Sequence, residues 1–580
     1  MKIKDYMPIL EWLPSYDKRQ LPGDLSAGLT VGVMLIPQGM AYAMIAGLPP
    51  IYGLYASTLP LLIYALLGTS RQLAVGPVAM VSLLTAAGVG GLAEGGTETY
   101  IALAIALALF VGLIQFLLGV FRLGFLVNFL SHPVISGFTS AAALIIGLSQ
   151  LKHLLGVEIA RSHHVHEIVL EAITKLGEVN WTTFAIGLGG VVLIIGAKRL
   201  HKAIPGPLLA VVFGVLLVWG MNLQEQGVKI VGEVPGGLPS FGIPQIQWTT
   251  IQDLLPIALA IALVSFMESI AVAKAIQAKH KDYKVIANQE LIALGAANIG
   301  GAFLQSYPVT GGFSRTAIND QSGAKTGLAS IFSASLIVLT LLFLTPLFYY
   351  LPKAILASVI MVAVFGLIDV KEAKHLWKAD RSDFWMLIVT FLATLGLGIE
   401  QGIGIGVVLS LGFIIFRTSR PHIAELGQVP GTSFYRNVER FDAVLRRDDL
   451  LIIRLDAQLY FANIDFFKDR VHELMQARPY KSLRTIILNA ESINAIDSTA
   501  MHALSDLIED WRKEGLTVLI TGVKGPVRDS LVKGHLIETI GKENFYMSVQ
   551  EAVDGHLQDQ KHTKEPSAHQ LFVLQTNVEA

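Results

Sequence analysis

Cysteine is absent from the 580 residues. That removes disulfides, thiolate nucleophiles and cysteine-held metals from consideration, without fixing the compartment. Charge is scarce as well: 15% of residues are Asp, Glu, Lys or Arg, against 53% hydrophobic. With a mean hydropathy of +0.56, the chain is too apolar for an ordinary soluble enzyme. Neither sign of charge dominates, the net charge being -1, and without a basic stripe no nucleic-acid partner is expected. There is no Gly-x-x-x-x-Gly-Lys-Ser/Thr loop to cradle ATP phosphates. No enzymatic activity, cofactor or metal is expected. Residues 1–24 mix Lys2, Lys4, Lys18 and Arg19 with Trp12 and Tyr16, and lack the apolar core and small-residue cleavage site of a signal peptide.

What the chain has is apolar length. Runs able to cross a hydrocarbon core of about 30 Å occupy residues 25–48, 101–121, 126–148, 181–197, 204–220, 254–272, 330–350, 384–399 and 402–416. Shorter or Gly/Pro-interrupted runs at 51–67, 74–90, 285–303, 308–319 and 355–368 bring the expectation to about fourteen membrane segments over residues 25–420. Cations test that count, because they should gather in alternate, cytoplasmic connections. Arg71, Arg122, the Lys198/Arg199/Lys202 group, the Lys274/Lys279/Lys281/Lys284 group and the Lys371/Lys374/Lys378/Arg381 group fall in every second loop, closed by Arg417 and Arg420. A multi-pass cell-membrane protein with both termini cytoplasmic is expected. The outer loop 151–180 is the exception, mixing Lys152, Arg161 and Lys175 with Glu158, Glu167, Glu171 and Glu178.

Two of the interrupted segments, 73–79 around Pro77 and 307–313 around Pro308, each stand third in a set of seven. Paired broken helices in corresponding positions point to an inverted repeat with a binding site at the midplane. Each break predicts an extended strand that restarts as a half-helix, with its amides and positive dipole end facing a substrate. Those amides fall at Val78, Ala79 and Met80 in one half, and at Gly312, Phe313 and Ser314 in the other. Arg315 follows directly, and a charge at membrane depth is costly and usually functional. Glu268, flanked by Val264, Phe266, Met267, Ile270, Ala271 and Val272, is expensive as an anion there. Protonation relieves that cost, which makes Glu268 the candidate for coupling to a proton gradient. Gln38 and Tyr42 lie one helical turn apart and offer a donor and an aromatic wall to the same site.

Each of these residues has a plainer alternative. Pro77 and Pro308 can simply kink packed helices. Arg315 can serve structurally, bonded to carbonyls, and Glu268 can sit in a static pair with Arg315 or Lys274. Gln38 and Tyr42 can pack between helices. Glu290 and Glu400 fall near segment ends, where solvated or gate-packing roles are expected. His153 and the Ser162/His163/His164/His166 cluster of the outer loop are expected to be solvated and not to hold a metal.

Beyond Pro421 the composition becomes that of a soluble α/β domain over residues 421–555. Buried strands are expected at 450–455, 485–488 and 517–521, alternating with amphipathic helices at 464–475, 498–513 and 548–557. Residues 556–580 carry no periodic pattern and are expected to form a mobile tail.

The string from Pro22-Gly23-Asp24 through Gly32-Val33-Met34-Leu35-Ile36-Pro37-Gln38-Gly39-Met40-Ala41-Tyr42, with Leu48-Pro49-Pro50-Ile51-Tyr52-Gly53, resembles the SulP family of sulfate permeases. So do Asn288-Gln289-Glu290, Asn298-Ile299-Gly300-Gly301 and the stretch from Pro308 to Thr316, while the terminal domain resembles a STAS domain. The resemblance implies a polytopic α-helical membrane protein: seven-plus-seven inverted repeats with two half-helices, followed by a cytoplasmic STAS domain. It implies a core that moves against a gate, usually in a homodimer embedded in the lipid bilayer. It assigns Gln38, Tyr42, Ala79, Ser314 and Arg315 to an inorganic oxyanion, sulfate favoured, and Glu268 to a coupling proton. Related STAS antagonists carry a phosphorylatable serine after an aspartate, which makes Ser498 after Asp497 the regulatory candidate. Ala500 stands where those proteins usually have glycine, and Asp497 can act as a helix cap alone. The expected function is proton-coupled sulfate import by an elevator-type movement. A sodium-coupled bicarbonate or dicarboxylate carrier, an uncoupled anion channel and a membrane-tethered signalling protein remain as alternatives.

Overall fold

Apolar length accounts for most of the first 410 residues. The computed structural model describes residues 7–125, 131–159, 165–200, 205–244, 248–280, 282–479 and 482–559, and the chain divides into two units, Met1–Ser410 and Leu411–Ala580. The principal helices of the first unit are α1 (Leu21–Ile45), α2 (Ile51–Tyr55), α3 (Leu59–Leu67), α4 (Ala79–Gly90), α5 (Glu98–Val120) and α6 (His132–Ser149). They continue with α7 (Trp181–Leu200), α8 (Gly206–Met221), α9 (Trp248–Gln277), α10 (Ala287–Phe303), α11 (Phe313–Gln321) and α12 (Leu328–Leu339). The series ends with α13 (Lys353–Phe365), α14 (Val370–Ala379), α15 (Arg381–Leu397) and α16 (Ile399–Ser419), the last of which begins in the first unit and ends in the second. Within the described residues the apolar runs read from the sequence fall on these helices or, at the two breaks, on a strand followed by a half-helix; run 51–67 is divided between α2 and α3, and run 330–350 continues past α12 as π and 3-10 turns over Thr340–Phe348. Among the described residues, seven helical stretches are long and apolar enough to cross a membrane, and four apolar helices are shorter.

Short helices and small residues go together here. Between α5 and α10, a Cβ on Gly112 would lie 2.7 Å from the Ile299 amide nitrogen, and one on Gly295 would lie 2.5 Å from that of Phe116. Glycine at both positions lets the two backbones touch, the usual way helices associate where lipid removes the hydrophobic drive between them. Helix α1 begins with Pro22 in its first turn and carries Pro37 inside. Val31, Leu35, Met40 and Ala41 are all buried, so the second half of α1 is enclosed by its neighbours, while Leu21, Leu25 and Leu29 of its first half are exposed.

The first unit holds two two-residue strands, β1 (Val75–Gly76) and β2 (Thr310–Gly311), and the second a six-stranded sheet. Strands β3 (Ile423–Gln428), β4 (Tyr435–Asn437), β5 (Leu450–Leu455), β6 (Thr485–Asn489), β7 (Thr517–Thr521) and β8 (Phe545–Tyr546) lie in the order β4-β3-β5-β6-β7-β8. The β4-β3 and β3-β5 pairs are antiparallel and the remaining pairs parallel. Helices α17 (Ile464–Gln476), α18 (Ser498–Lys513) and α19 (Val549–Asp559) pack on it. The period-two alternation of β5 sorts its side chains: Leu451, Ile453 and Leu455 pack with Phe467 of α17 and Leu504 of α18, while Leu450 and Ile452 pack with Ala552 and Val553 of α19. The expected central strands are β5, β6 and β7; β3, β4 and β8 are additional to them. Helix α19 runs to Asp559, past the expected end of the domain at residue 555, and residues 560–580 lie outside the described residues.

Candidate anion site

Two prolines and a cluster of glycines break the apolar runs where the sequence suggests, and the broken ends meet. A residue before proline is steered to extended backbone. Strands β1 and β2 pair antiparallel, Val75 opposite Gly311 and Gly76 opposite Thr310. The Gly312 amide extends the ladder by donating to the Ala74 carbonyl at 3.0 Å. From this crossing α4 and α11 start, preceded by Val78 (φ -134°, ψ 152°) and Gly312 (φ -97°, ψ 126°), both extended. No side chain caps either start. The first amides of each helix therefore keep their donor capacity and the positive end of the helix dipole.

A polar frame fixes the crossing. Asn298 of α10 accepts from the Val309 amide at 2.8 Å and donates to the Val309 carbonyl at 3.1 Å. Its amide nitrogen also donates to Gln115 Oε1 at 3.2 Å, and Gln115 of α5 donates to Ser265 Oγ of α9 at 2.8 Å. Thr310 Oγ1 donates to the Ser265 carbonyl at 2.7 Å, which leaves Ser269 Oγ as the donor to Thr310 Oγ1 at 2.6 Å while it accepts from the Gly311 amide at 2.8 Å. Each of these groups is buried, and buried polar groups hold their geometry because an unmade bond is costly. Sequence reasoning assigned no site role to Ser265, Ser269, Gln115 or Asn298. The available signal was the four-residue spacing of Ser265 and Ser269, which puts two hydroxyls on one face of α9.

Arg315 bridges the two breaks. Its Nη1 donates to the Pro77 carbonyl at 2.6 Å, and the residue is 2% exposed. Nε and Nη2 are buried, with no hydrogen-bond partner among the described residues. A Cβ on Gly312 would lie 2.8 Å from Nη2, so the guanidinium occupies room that only glycine leaves. Val78, Ala79, Met80, Gln38 and Tyr42 are buried, while Ser314 is exposed and Phe313 is 62% exposed. Arg315 stands within electrostatic reach of Tyr42, Glu268 and Tyr307. Glu268 is half-buried, one residue from the frame-forming Ser269. Among the described residues no ion pair joins it to Arg315 or Lys274, the static pairing considered from the sequence.

Other carboxylates serve the frame. Glu290, in the first turn of α10, is fully buried and not solvated. Its Oε2 accepts from Tyr64 Oη at 2.6 Å, and its Oε1 from the Thr69 amide at 2.7 Å, Thr69 Oγ1 at 2.5 Å and the Ser70 amide at 3.2 Å. It thereby ties down the stretch leading into the first break. Asp24, in the first turn of α1, accepts from the Lys325 amide at 2.6 Å, the Thr326 amide at 3.0 Å and Thr326 Oγ1 at 2.7 Å, tying down the stretch after α11. Removing the Glu290 carboxylate leaves four donors without an acceptor, at about 1–3 kcal/mol for each group left unsatisfied. Glu290→Leu is therefore expected to lower the thermal unfolding temperature of the purified protein, with Glu290→Gln in between. An unchanged midpoint in Glu290→Leu would contradict the anchoring role.

The remaining candidates are separate from this cluster. The side chain of Glu400 and the residues Ser162, His163 and His164 lie outside the described residues, and no group of three or more metal-ligating side chains occurs among the described ones. In the second unit Asp497 caps α18 by accepting from the Ala500 amide at 2.8 Å and also accepts from the Phe461 amide at 2.9 Å. Ser498 is exposed at the first position of that helix.

Comparison with known proteins agrees with this architecture. A model of the sulfate permease family matches residues 21–390, and a STAS domain model matches residues 443–552. Sulfate transporter 4.1, chloroplastic, of Arabidopsis thaliana is 40% identical over 579 residues, covering 96% of this chain and 84% of its own length. A probable sulfate transporter of Mycobacterium tuberculosis is 37% identical over 538 residues, covering 93% of this chain and 96% of its own. The solved structure of the murine solute carrier 26 family member A9 anion transporter, in the inward-facing state, matches with a TM-score of 0.89 at 28% identity, over 97% of this chain and 95% of that one. The chain belongs to the sulfate permease family and combines a helical membrane transporter fold with a C-terminal STAS domain.

Proposed function

We propose that this protein is a secondary active anion carrier that imports sulfate together with protons, through an elevator-type movement of the core that holds the strand crossing. The observation that carries the reading is the convergence of two uncapped half-helix starts on one strand crossing, bridged by buried Arg315. A divalent oxyanion must shed water to cross, and needs preorganised donors and positive potential without a trap too strong to release it. Backbone amides at 78–80 and 313–314 supply donors that do not titrate, whereas the amide of Gly312, expected from the sequence to serve as well, is committed to the Ala74 carbonyl; the two helix dipoles supply potential at no cost of reorganisation. Arg315, held off by the Pro77 carbonyl, adds charge from beneath. Gln38 and Tyr42 of α1 complete the wall.

Glu268 is the proposed proton carrier, because it is a carboxylate at membrane depth, within reach of the Arg315 charge and, among the described residues, in no ion pair. The relatives named as sulfate transporters favour sulfate over bicarbonate or a dicarboxylate. In this reading residues 25–420 form the transport domain and 421–555 a STAS domain, in a homodimer of the cell membrane with both termini cytoplasmic. Ser498 is its modification candidate, since a phosphate there would meet the positive end of α18.

Radiolabelled sulfate counterflow in proteoliposomes tests the carrier mechanism: saturable uptake stimulated by sulfate on the far side is expected. Non-saturating uptake without that stimulation belongs to a channel, and no uptake at all to a signalling protein. The site residues all precede residue 411, where the second unit begins. A chain ending at Arg420 is therefore expected to bind sulfate with unchanged affinity in calorimetric titration, whatever happens to its transport rate. A stable truncation that no longer bound sulfate would contradict the independence of the two units.

A further inference from the structure

Helix α14 presents a cationic and aromatic face that the anion site does not use. It is ten residues long and lies between the apolar helices α13 and α15. Only Leu376 is fully buried in it. Lys371, Lys374 and Lys378, spaced three and four apart, are exposed on one side, with Arg381 exposed at the start of α15. Trp377 is 49% exposed and Trp385 56%. The Arg381 guanidinium stands over the Trp377 ring at 5.4 Å, and that ring meets Phe384 edge-on at 4.9 Å. Lys371, Lys374, Lys378, Trp377 and Phe384 line a groove of 560 Å³.

The nearby carboxylates are engaged elsewhere. Asp369 caps α14 through the Glu372 amide at 2.9 Å, Glu372 pairs with His132 at 3.3 Å, and Asp380 caps α15 through the Ser382 amide at 2.9 Å. Among the described residues no carboxylate comes within 4.0 Å of the ammonium groups of Lys371, Lys374 or Lys378. Short connections on both sides hold this helix at the ends of two membrane segments. There, lysines meet headgroups and tryptophan rings occupy the boundary between acyl chain and water. A merely solvated face would carry the lysines without the exposed indoles.

We propose that the α14 face is a docking surface for anionic phospholipid headgroups, with the three lysines contacting phosphate and Trp377 and Trp385 seated at the acyl boundary. A basic side chain near an anionic bilayer strengthens association by about five-fold. The test uses the purified full chain in detergent, titrated with dioctanoyl phosphatidylglycerol, dioctanoyl phosphatidylcholine or inorganic phosphate and read by native mass spectrometry. Phosphatidylglycerol is expected to bind in preference to phosphatidylcholine. The triple variant Lys371→Gln/Lys374→Gln/Lys378→Gln should lose at least about ten-fold in phosphatidylglycerol affinity with phosphatidylcholine unchanged, whereas the corresponding triple arginine variant should keep it. If the triple glutamine variant does not fold, the single variants Lys374→Gln and Lys378→Gln carry the same test, each with a several-fold loss. Three results would overturn the proposal: equal phosphatidylglycerol affinity in the glutamine variants, displacement of the lipid by inorganic phosphate at similar concentration, or a change in the dimer fraction with lipid binding intact.

Discussion

Arg315→Ala is expected to weaken sulfate binding by about ten- to a hundred-fold, the range for losing a hydrogen bond that involves a charged group. Two effects act in the same direction. The positive charge beneath the two half-helix starts disappears, and the Pro77 carbonyl, which accepts from Nη1 at 2.6 Å, is left turned toward an anion. Arg315→Lys keeps the charge but replaces a planar fork with a single ammonium, so its affinity should fall between wild type and alanine. Calorimetric titration of purified variants, with thermal unfolding as the control for folding, measures both. Wild-type affinity in a folded Arg315→Ala protein would reduce the arginine to a packing role.

Glu268→Gln is expected to separate exchange from accumulation. The amide resembles the protonated carboxyl and cannot release a proton, so an inward proton gradient should no longer accelerate uptake. Sulfate counterflow between compartments of equal pH should persist, since the strand crossing and its amides are untouched. Glu268→Gln liposomes that still concentrated sulfate in response to pH alone would move the proton to another group. Glu290 is a poor substitute, because its carboxylate already accepts four hydrogen bonds that hold the chain ahead of the first break.

The frame of this molecule was legible where one physical signal dominates. Apolar length marked the membrane segments. Pro77 and Pro308, each followed by a helix start, marked the two breaks. The apolar runs of β5, β6 and β7 marked the centre of the second sheet. Strand β3 escaped because its burial is not apolar: Glu425 lies inside it, paired with Arg478 at 2.5 Å and Arg446 at 2.7 Å. An ion pair that neutralises a buried carboxylate is invisible until its partner, far along the chain, is brought alongside.

The polar frame of the site was hidden for the same reason. Asn298 and Gln115 look like isolated polar residues in apolar helices, and only the touching backbones around Gly112 and Gly295 bring them together over Val309. Sequence also placed Glu290 near a segment end, where solvent was the natural expectation. What it could not supply was the loop from Gly68 to Ser70, whose Thr69 and Ser70 bring three of the four donors to the carboxylate. Arg315 was legible as a functional cation, but its direction, back across the crossing to the Pro77 carbonyl, was not.

The central claim is that this crossing carries sulfate inward on a proton gradient. Radiolabelled sulfate uptake into proteoliposomes, with pH and sodium gradients imposed separately, tests it most directly. The account predicts that an acidic exterior drives saturable accumulation of sulfate above its external concentration, that a sodium gradient at equal pH does not, and that Glu268→Gln abolishes the accumulation. Sulfate that only equilibrates under an imposed pH gradient, or that accumulates with sodium instead, would contradict it.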